Sequence, residues 1–295
     1  MLNTIHHRLL AMFLFSLVCF GLPSVSSATN SWGGYHWARQ ANPFYLSLGD
    51  NLSGVWVQST SDILNKTDYL YWTGYTWNGT NNPYYDLAGQ SFVNLSTAPV
   101  ISLSLVVPGG TVSNPRKCFP TTGRVEVCNY KYGRNGWLGV AQIWVSGLHI
   151  TQGTVKLNDS YFNLASYNKP EWRKLVICQE VGHTFGLDHQ DETFSNGNLG
   201  TCMDYTNNPA GPPPNLKPNT HDFDEIAFVY NHPDTFNSSS AGTTIIPARL
   251  PAGLDLNEPS HWGKLIRQSF GGRTAVYELD LGAGKKIVTH VIWAE

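Results

Sequence analysis

Residues 179–189 read Gln-Glu-Val-Gly-His-Thr-Phe-Gly-Leu-Asp-His. On a helix, Gln179 and His183 stand one turn apart on the same face, so both can grip a single metal ion with Glu180 beside them. Gly186 can then take a left-handed conformation and turn the chain sharply, which returns His189 as a third ligand. Three protein ligands leave one position open for a water whose pKa the metal lowers towards about 7. A neighbouring carboxylate can take the proton of that water as it attacks a carbonyl. The spacing therefore points to metal-assisted hydrolysis, with Gln179, His183 and His189 as candidate ligands and Glu180 as candidate general base. Downstream, Cys202-Met203-Asp204-Tyr205 forms a compact island in a loop rich in Asn, Gly and Pro. Met203 is the one methionine left once Met1 and Met12 are set aside.

These residues need a frame. Asn168-Lys169-Pro170 is a helix start with Pro tolerated in the first turn, and WRKLVICQEVGHTFG carries helical apolar spacing, which predicts a helix over 170–185 that stops at Gly186. Apolar, β-branched runs predict strands over 99–107, 124–130, 138–145 and 149–157, separated by Gly-containing turns. The stretch 35–48 reads as extended, 55–64 as a short helix, and 223–231 as a closing amphipathic helix. The small-residue run 238–242 reads as a linker. Beyond it, VYELDL and KKIVTHVIWA predict two strands of a β-rich segment over 243–295. The fold class is α+β, with the sheet in the N-terminal part of a domain over 29–237 and a small β-rich C-terminal appendage.

The chain has 295 residues, of which 14% are charged and 41% hydrophobic, a balance that excludes a coiled coil and a disordered chain. A formal net charge of −2 without a basic cluster gives no electrostatic footprint for nucleic acid. His6, His7 and Arg8 precede an apolar run from Leu9 to Leu22 and a small-residue stretch ending at Ala28. This predicts a signal peptide over 1–28, a secreted extracellular product, and no membrane association after cleavage.

Four cysteines follow the signal: Cys118, Cys128, Cys178 and Cys202. Four allow three pairings; the hairpin-like stretch between Cys118 and Cys128 favours a local bridge, which leaves Cys178 with Cys202. Asn-x-Ser/Thr sequons stand at Asn51, Asn65, Asn78, Asn94, Asn158 and Asn237.

In Glu180, His183, Gly186 and His189 the sequence resembles the metzincin family of zinc endopeptidases, whose signature is H-E-x-x-H-x-x-G-x-x-H followed by a Met-turn. The wording HTFGLDH is closest to the matrixin-like branch, and Cys202-Met203-Asp204-Tyr205 resembles the Met-turn. The resemblance implies a metzincin-like fold and one catalytic zinc ion. It further implies hydrolysis of internal peptide bonds of a protein or peptide substrate, Met203 as a hydrophobic floor under the metal, and Tyr205 as support for the reacting carbonyl oxygen. It covers roughly residues 35–232 and carries no cysteine-switch motif.

Gln179 stands where the family has its first histidine ligand. Three explanations are open: Gln179 ligates zinc through its amide oxygen, a histidine from elsewhere such as His149 substitutes, or the protein is an inactive relative serving as an extracellular binding module. The histidines outside the motif, His36, His149, His221, His232, His261 and His290, read as surface or structural residues. Asp191 and Glu192 read equally well as partners of His189 or as a solvated acidic turn. On the resemblance, the loop 200–223 lies near a specificity pocket.

Overall fold

The computed structural model describes residues 31–57, 68–78, 101–105, 112–239, 250, 252–269 and 271–294. The signal segment, Asn65, Asn94 and most of the 238–242 stretch lie outside them. Among the described residues no helix is long and apolar enough to cross a membrane.

The architecture is α+β, built on one mixed sheet. Its first five strands are β1 (His36–Trp37), β2 (Phe44–Asn51), β3 (Ile101–Leu105), β4 (Arg124–Tyr130) and β5 (Trp137–Ser146). They are followed by β6 (His149–Asn158), β7 (Lys264–Gln268), β8 (Thr274–Gly282) and β9 (Lys285–Trp293). The order across the sheet is β3-β2-β4-β6-β5-β9-β8-β7, with β1 alongside β6. Strands β1, β2, β3, β4 and β6 run parallel to their neighbours within that group. From β5 onward every pairing is antiparallel. Parallel strands are buried on both faces, and β4 and β6 accordingly keep almost every side chain from water.

Among the described residues four helices accompany the sheet: α1 (Tyr69–Trp77), α2 (Asp159–Phe162), α3 (Pro170–His183) and α4 (Thr220–Val229). Helix α3 begins where Pro170 predicts and is buried along most of its length between α1 and the sheet. Helix α4 starts earlier than its apolar pattern suggests, because Asn219 and Asp222 form a reciprocal capping box. Of the short helix expected over 55–64, the described part is a single 3₁₀ turn, Gly54–Trp56. Helix α1 was not anticipated. Its sequence YLYWTGYTW has no polar face to reveal a period, and its local mark is Asp68, whose carboxylate accepts the Tyr71 N–H at 3.1 Å.

Both disulfides form as expected, Cys118–Cys128 and Cys178–Cys202. The second ties α3 to the segment entering Met203. The sequons divide differently. Asn51, Asn78 and Asn158 are buried, and the Asn158 amide donates to the carbonyls of Gly133 and Trp137. These three side chains serve the fold.

The C-terminal strands are not a satellite. Strand β9 pairs with β5 from Trp137↔Trp293 to Ser146↔Lys285, so the appendage expected after residue 242 continues the main sheet. Val276, Val288 and Ile292 join the principal core, and Trp262, Ala275 and Val291 enclose Trp137 and Val140 in a smaller one. Ser238, expected in the linker, is fully buried and pairs its N–H and hydroxyl with the backbone of Ala38.

Candidate metal centre

Helix α3 carries the site at its C-terminal end, where a helix leaves carbonyls without intrahelical partners. Two side chains meet that need: Trp37 Nε1 donates to Thr184 O at 2.9 Å and the Tyr230 hydroxyl to Phe185 O at 2.9 Å. The chain then turns at Gly186, whose φ is +93°. A Cβ there would lie 1.9 Å from Tyr35 O, so glycine is required by both conformation and space.

The turn brings the two motif histidines together. His183 Nδ1 lies 2.8 Å from Leu187 O, so it carries the proton and leaves Nε2 with a bare lone pair. His189 Nδ1 lies 3.2 Å from a Glu192 carboxylate oxygen, which imposes the same tautomer. The two Nε2 atoms face one another at 3.1 Å. Burial, and then the field of His189, hold His183 well below the ordinary imidazole range, so it stays neutral. At that distance either one ring donates to the other or a cation lies between two bare lone pairs, and the metal-site reading takes the second.

Glu180 is fully buried on the same helix, and neither carboxylate oxygen has a hydrogen-bond partner of regular geometry. Burial pushes its pKa well above the ordinary carboxylate value, and the nearby Ala141 N–H pulls the other way. The closeness of β5 is what crowds it: a Cβ on Gly139 would meet Glu180 Oε1 at 2.6 Å. Gln179 is likewise buried, and neither its amide oxygen nor its nitrogen has a partner.

Met203 is fully buried, and a Cβ on Gly182 would come within 2.6 Å of its sulfur, which places the thioether against the helix one residue before His183. The backbone holds the Met203 loop against the His189 loop through Gln190 N–H to Met203 O at 2.7 Å and Tyr205 N–H to Asp191 O at 3.0 Å. Of the two acidic residues after His189, Glu192 is the one that orients it. Asp191 spends its carboxylate on Thr193 N–H and the Asn196 amide.

One residue at the site was not anticipated. His183, His189 and His290 each offer a ring nitrogen, and the three nitrogens lie within 4.8 Å of one another. His290 comes from β9, is 1% exposed, and has no hydrogen-bond partner on either ring nitrogen. Its sequence mark was a histidine inside a run of β-branched residues, where an imidazole is costly without a task. His149, named above as a substitute ligand, stands in a different group, 3.1 Å from Asp234 Oδ1.

The group that the structure brings together, three buried imidazoles whose ring nitrogens lie within 4.8 Å, is a donor set that suits a zinc ion, and Gln179 and Glu180 on the same helix are buried without hydrogen-bond partners. Comparison with known proteins gives no matching family model and no matching curated protein.

Proposed function

We propose that the chain is a secreted, zinc-dependent endopeptidase of the metzincin type. The observation that carries this reading is the convergence of His183 and His189, Nε2 to Nε2 at 3.1 Å, at the end of the helix that also buries the Glu180 carboxylate without a hydrogen-bond partner. His183, His189 and the Gln179 amide oxygen would hold the ion. When bound, zinc polarises the scissile carbonyl and makes a water acidic enough to be deprotonated near neutral pH. Glu180 takes that proton and passes it to the leaving amine, a role suited to a carboxyl whose pKa burial has raised. Tyr205 supports the carbonyl oxygen once its hydroxyl is free. Met203 and Gly186 fix the floor and the turn.

A second reading, a catalytically inactive extracellular binding module, draws on Gln179 in the first ligand position and on the strand that covers the site.

The two separate on one experiment. Purified full-length protein should contain zinc and show slow, chelator-sensitive cleavage of an unfolded protein substrate. Glu180→Ala should keep the zinc and lose cleavage by about 100-fold or more. Cleavage that continues unchanged in chelator, or in the Glu180 variant, would overturn the peptidase reading.

A further inference from the structure

Residues 267–293 engage the proposed machinery at four separate points. The first is the edge of the sheet. Strand β5 passes next to Glu180, and its side away from β6 would present free N–H and C=O groups, the surface on which an extended peptide adds as a strand. Strand β9 takes that whole edge, antiparallel, with His290 opposite Ala141.

The second point is the metal pocket, which His290 enters between Trp32, at 3.9 Å between ring centroids, and His183, at 3.8 Å. The third is Tyr205, whose hydroxyl donates to Arg273 O at 3.0 Å and lies 3.4 Å from Trp293 O. The fourth is the support of His189: Arg267 bonds the carboxylate of Asp188 and lies 3.3 Å from Glu192, to which the Thr274 hydroxyl also donates. Strand pairing alone would explain the first of these. It does not explain why the same segment also places among the ligands an imidazole with no hydrogen bond, whose Nε2 is 3.7 Å from Asp188 Oδ1, and occupies the tyrosine hydroxyl.

We propose that β9 is an intramolecular occupant of the substrate cleft and that His290 fills the open metal position. The chain as folded is then a latent peptidase, opened when β9 leaves β5. The inference rests on the metal-site reading above. With Gln179, His183 and His189, His290 makes a four-ligand site of the closed kind that holds metal without admitting water. The rings of His183 and His290 stack at 11°, so sharing one ion turns the His290 ring out of parallel about its own side-chain bonds.

The test uses full-length protein stripped of metal and reconstituted with cobalt(II), whose visible spectrum reports ligand number, with acetohydroxamate as a probe for an open position. Relative to the unmodified chain, His290→Ala, and His290→Phe, which keeps a ring in the stack, should change the cobalt spectrum. Both variants should bind acetohydroxamate about ten-fold more tightly or better. Cleavage of an unfolded substrate should rise by a similar factor.

Unmodified protein loaded with ¹¹³Cd supplies a measurement that needs no variant. Coupling to the rings of His183, His189 and His290 supports the proposal, and coupling to the first two alone overturns it. An unchanged cobalt spectrum and hydroxamate affinity in both variants would also overturn it, leaving the metal site standing. A chain that binds no cobalt, or binds it equally well as His183→Ala, would remove the metal-site reading and this inference together. If the spectrum and hydroxamate affinity change but the variants stay inert towards substrate, the His290 ligation is upheld, and a chain that is still inert after β9 is removed from β5 by proteolysis after residue 242 overturns the peptidase reading.

Discussion

The described residues hold two clusters of histidines that differ in burial and in how fully their rings are bonded. His36, His149 and His232 gather around Asp234 Oδ1 at 3.6, 3.1 and 3.9 Å, and Arg39 lies 3.8 Å from the other carboxylate oxygen. Every imidazole there has an anion within reach. Burial would push the Asp234 pKa up, but the Arg39 N–H, the His149 bond and the fields of His36 and His149 outweigh it, and the carboxyl sits below its ordinary value. His183, His189 and His290 are all under 7% exposed and converge within 4.8 Å; carboxylates reach two of them, Glu192 at 3.2 Å from His189 Nδ1 and Asp188 at 3.7 Å from His290 Nε2, and His183 has none within 4 Å among the described residues. Glu180, on the same helix as His183, is raised by burial, and its oxygens have no hydrogen-bond partner of regular geometry. The first cluster is an ion-pair network around one carboxylate, in which His36 and His232 also meet at 3.3 Å; the second leaves both ring nitrogens of His290 without a hydrogen bond, and on the metal-site reading a cation completes it. Clustering of histidines alone therefore does not mark a metal site. Bare lone pairs and unsatisfied polar atoms do.

Three substitutions break or sharpen that contrast, in decreasing order of effect. Replacing Cys178 and Cys202 together by Ser should cost about 2–5 kcal/mol in a denaturant titration. It should also weaken zinc retention, because α3 loses its tie to the Met203 loop, while the Asp234 network stays intact.

Asp234→Asn should cost about 1–3 kcal/mol at neutral pH without loss of zinc. Its pH dependence follows from the depressed carboxyl. The stabilisation is complete above the unfolded value of 3.8 and is lost as pH falls through the lower folded value. The stability difference between variant and parent should thus be full at pH 7 and shrink in strong acid. A constant difference across that range would deny the ion-pair account.

Glu192→Gln should leave folding nearly unchanged but weaken zinc binding about ten-fold in a chelator competition, because the Nδ1 partner of His189 loses its charge. An unchanged affinity would mean that the bond at 3.2 Å does not orient the ligand.

Much of this was written locally in the chain. The Pro170 start, the apolar spacing of α3, the stop at Gly186, and strands β4, β5 and β6 are short-range patterns, and the structure keeps them within a residue or two. So is the motif that places His183 and His189 together. Helix α1 escaped because an aromatic-rich segment buried on most sides shows no amphipathic period. The start of α4 escaped because the capping pair Asn219 and Asp222 lies ahead of its apolar residues. The role of β9 was legible as a strand but not as a neighbour of β5, since a register between residues 137–146 and 285–293 has no local signature. His290 was hidden for the same reason: its meaning depends on that register, which sets it opposite Ala141 and into the pocket of Glu180 and His183.

The most direct test of the account is the zinc content of purified full-length protein after exhaustive dialysis, compared with His183→Ala and His232→Ala. The account predicts one zinc per chain, lost in the His183 variant and retained in the His232 variant. A chain that retains no zinc, or whose zinc survives replacement of His183 and disappears with His232, would contradict it.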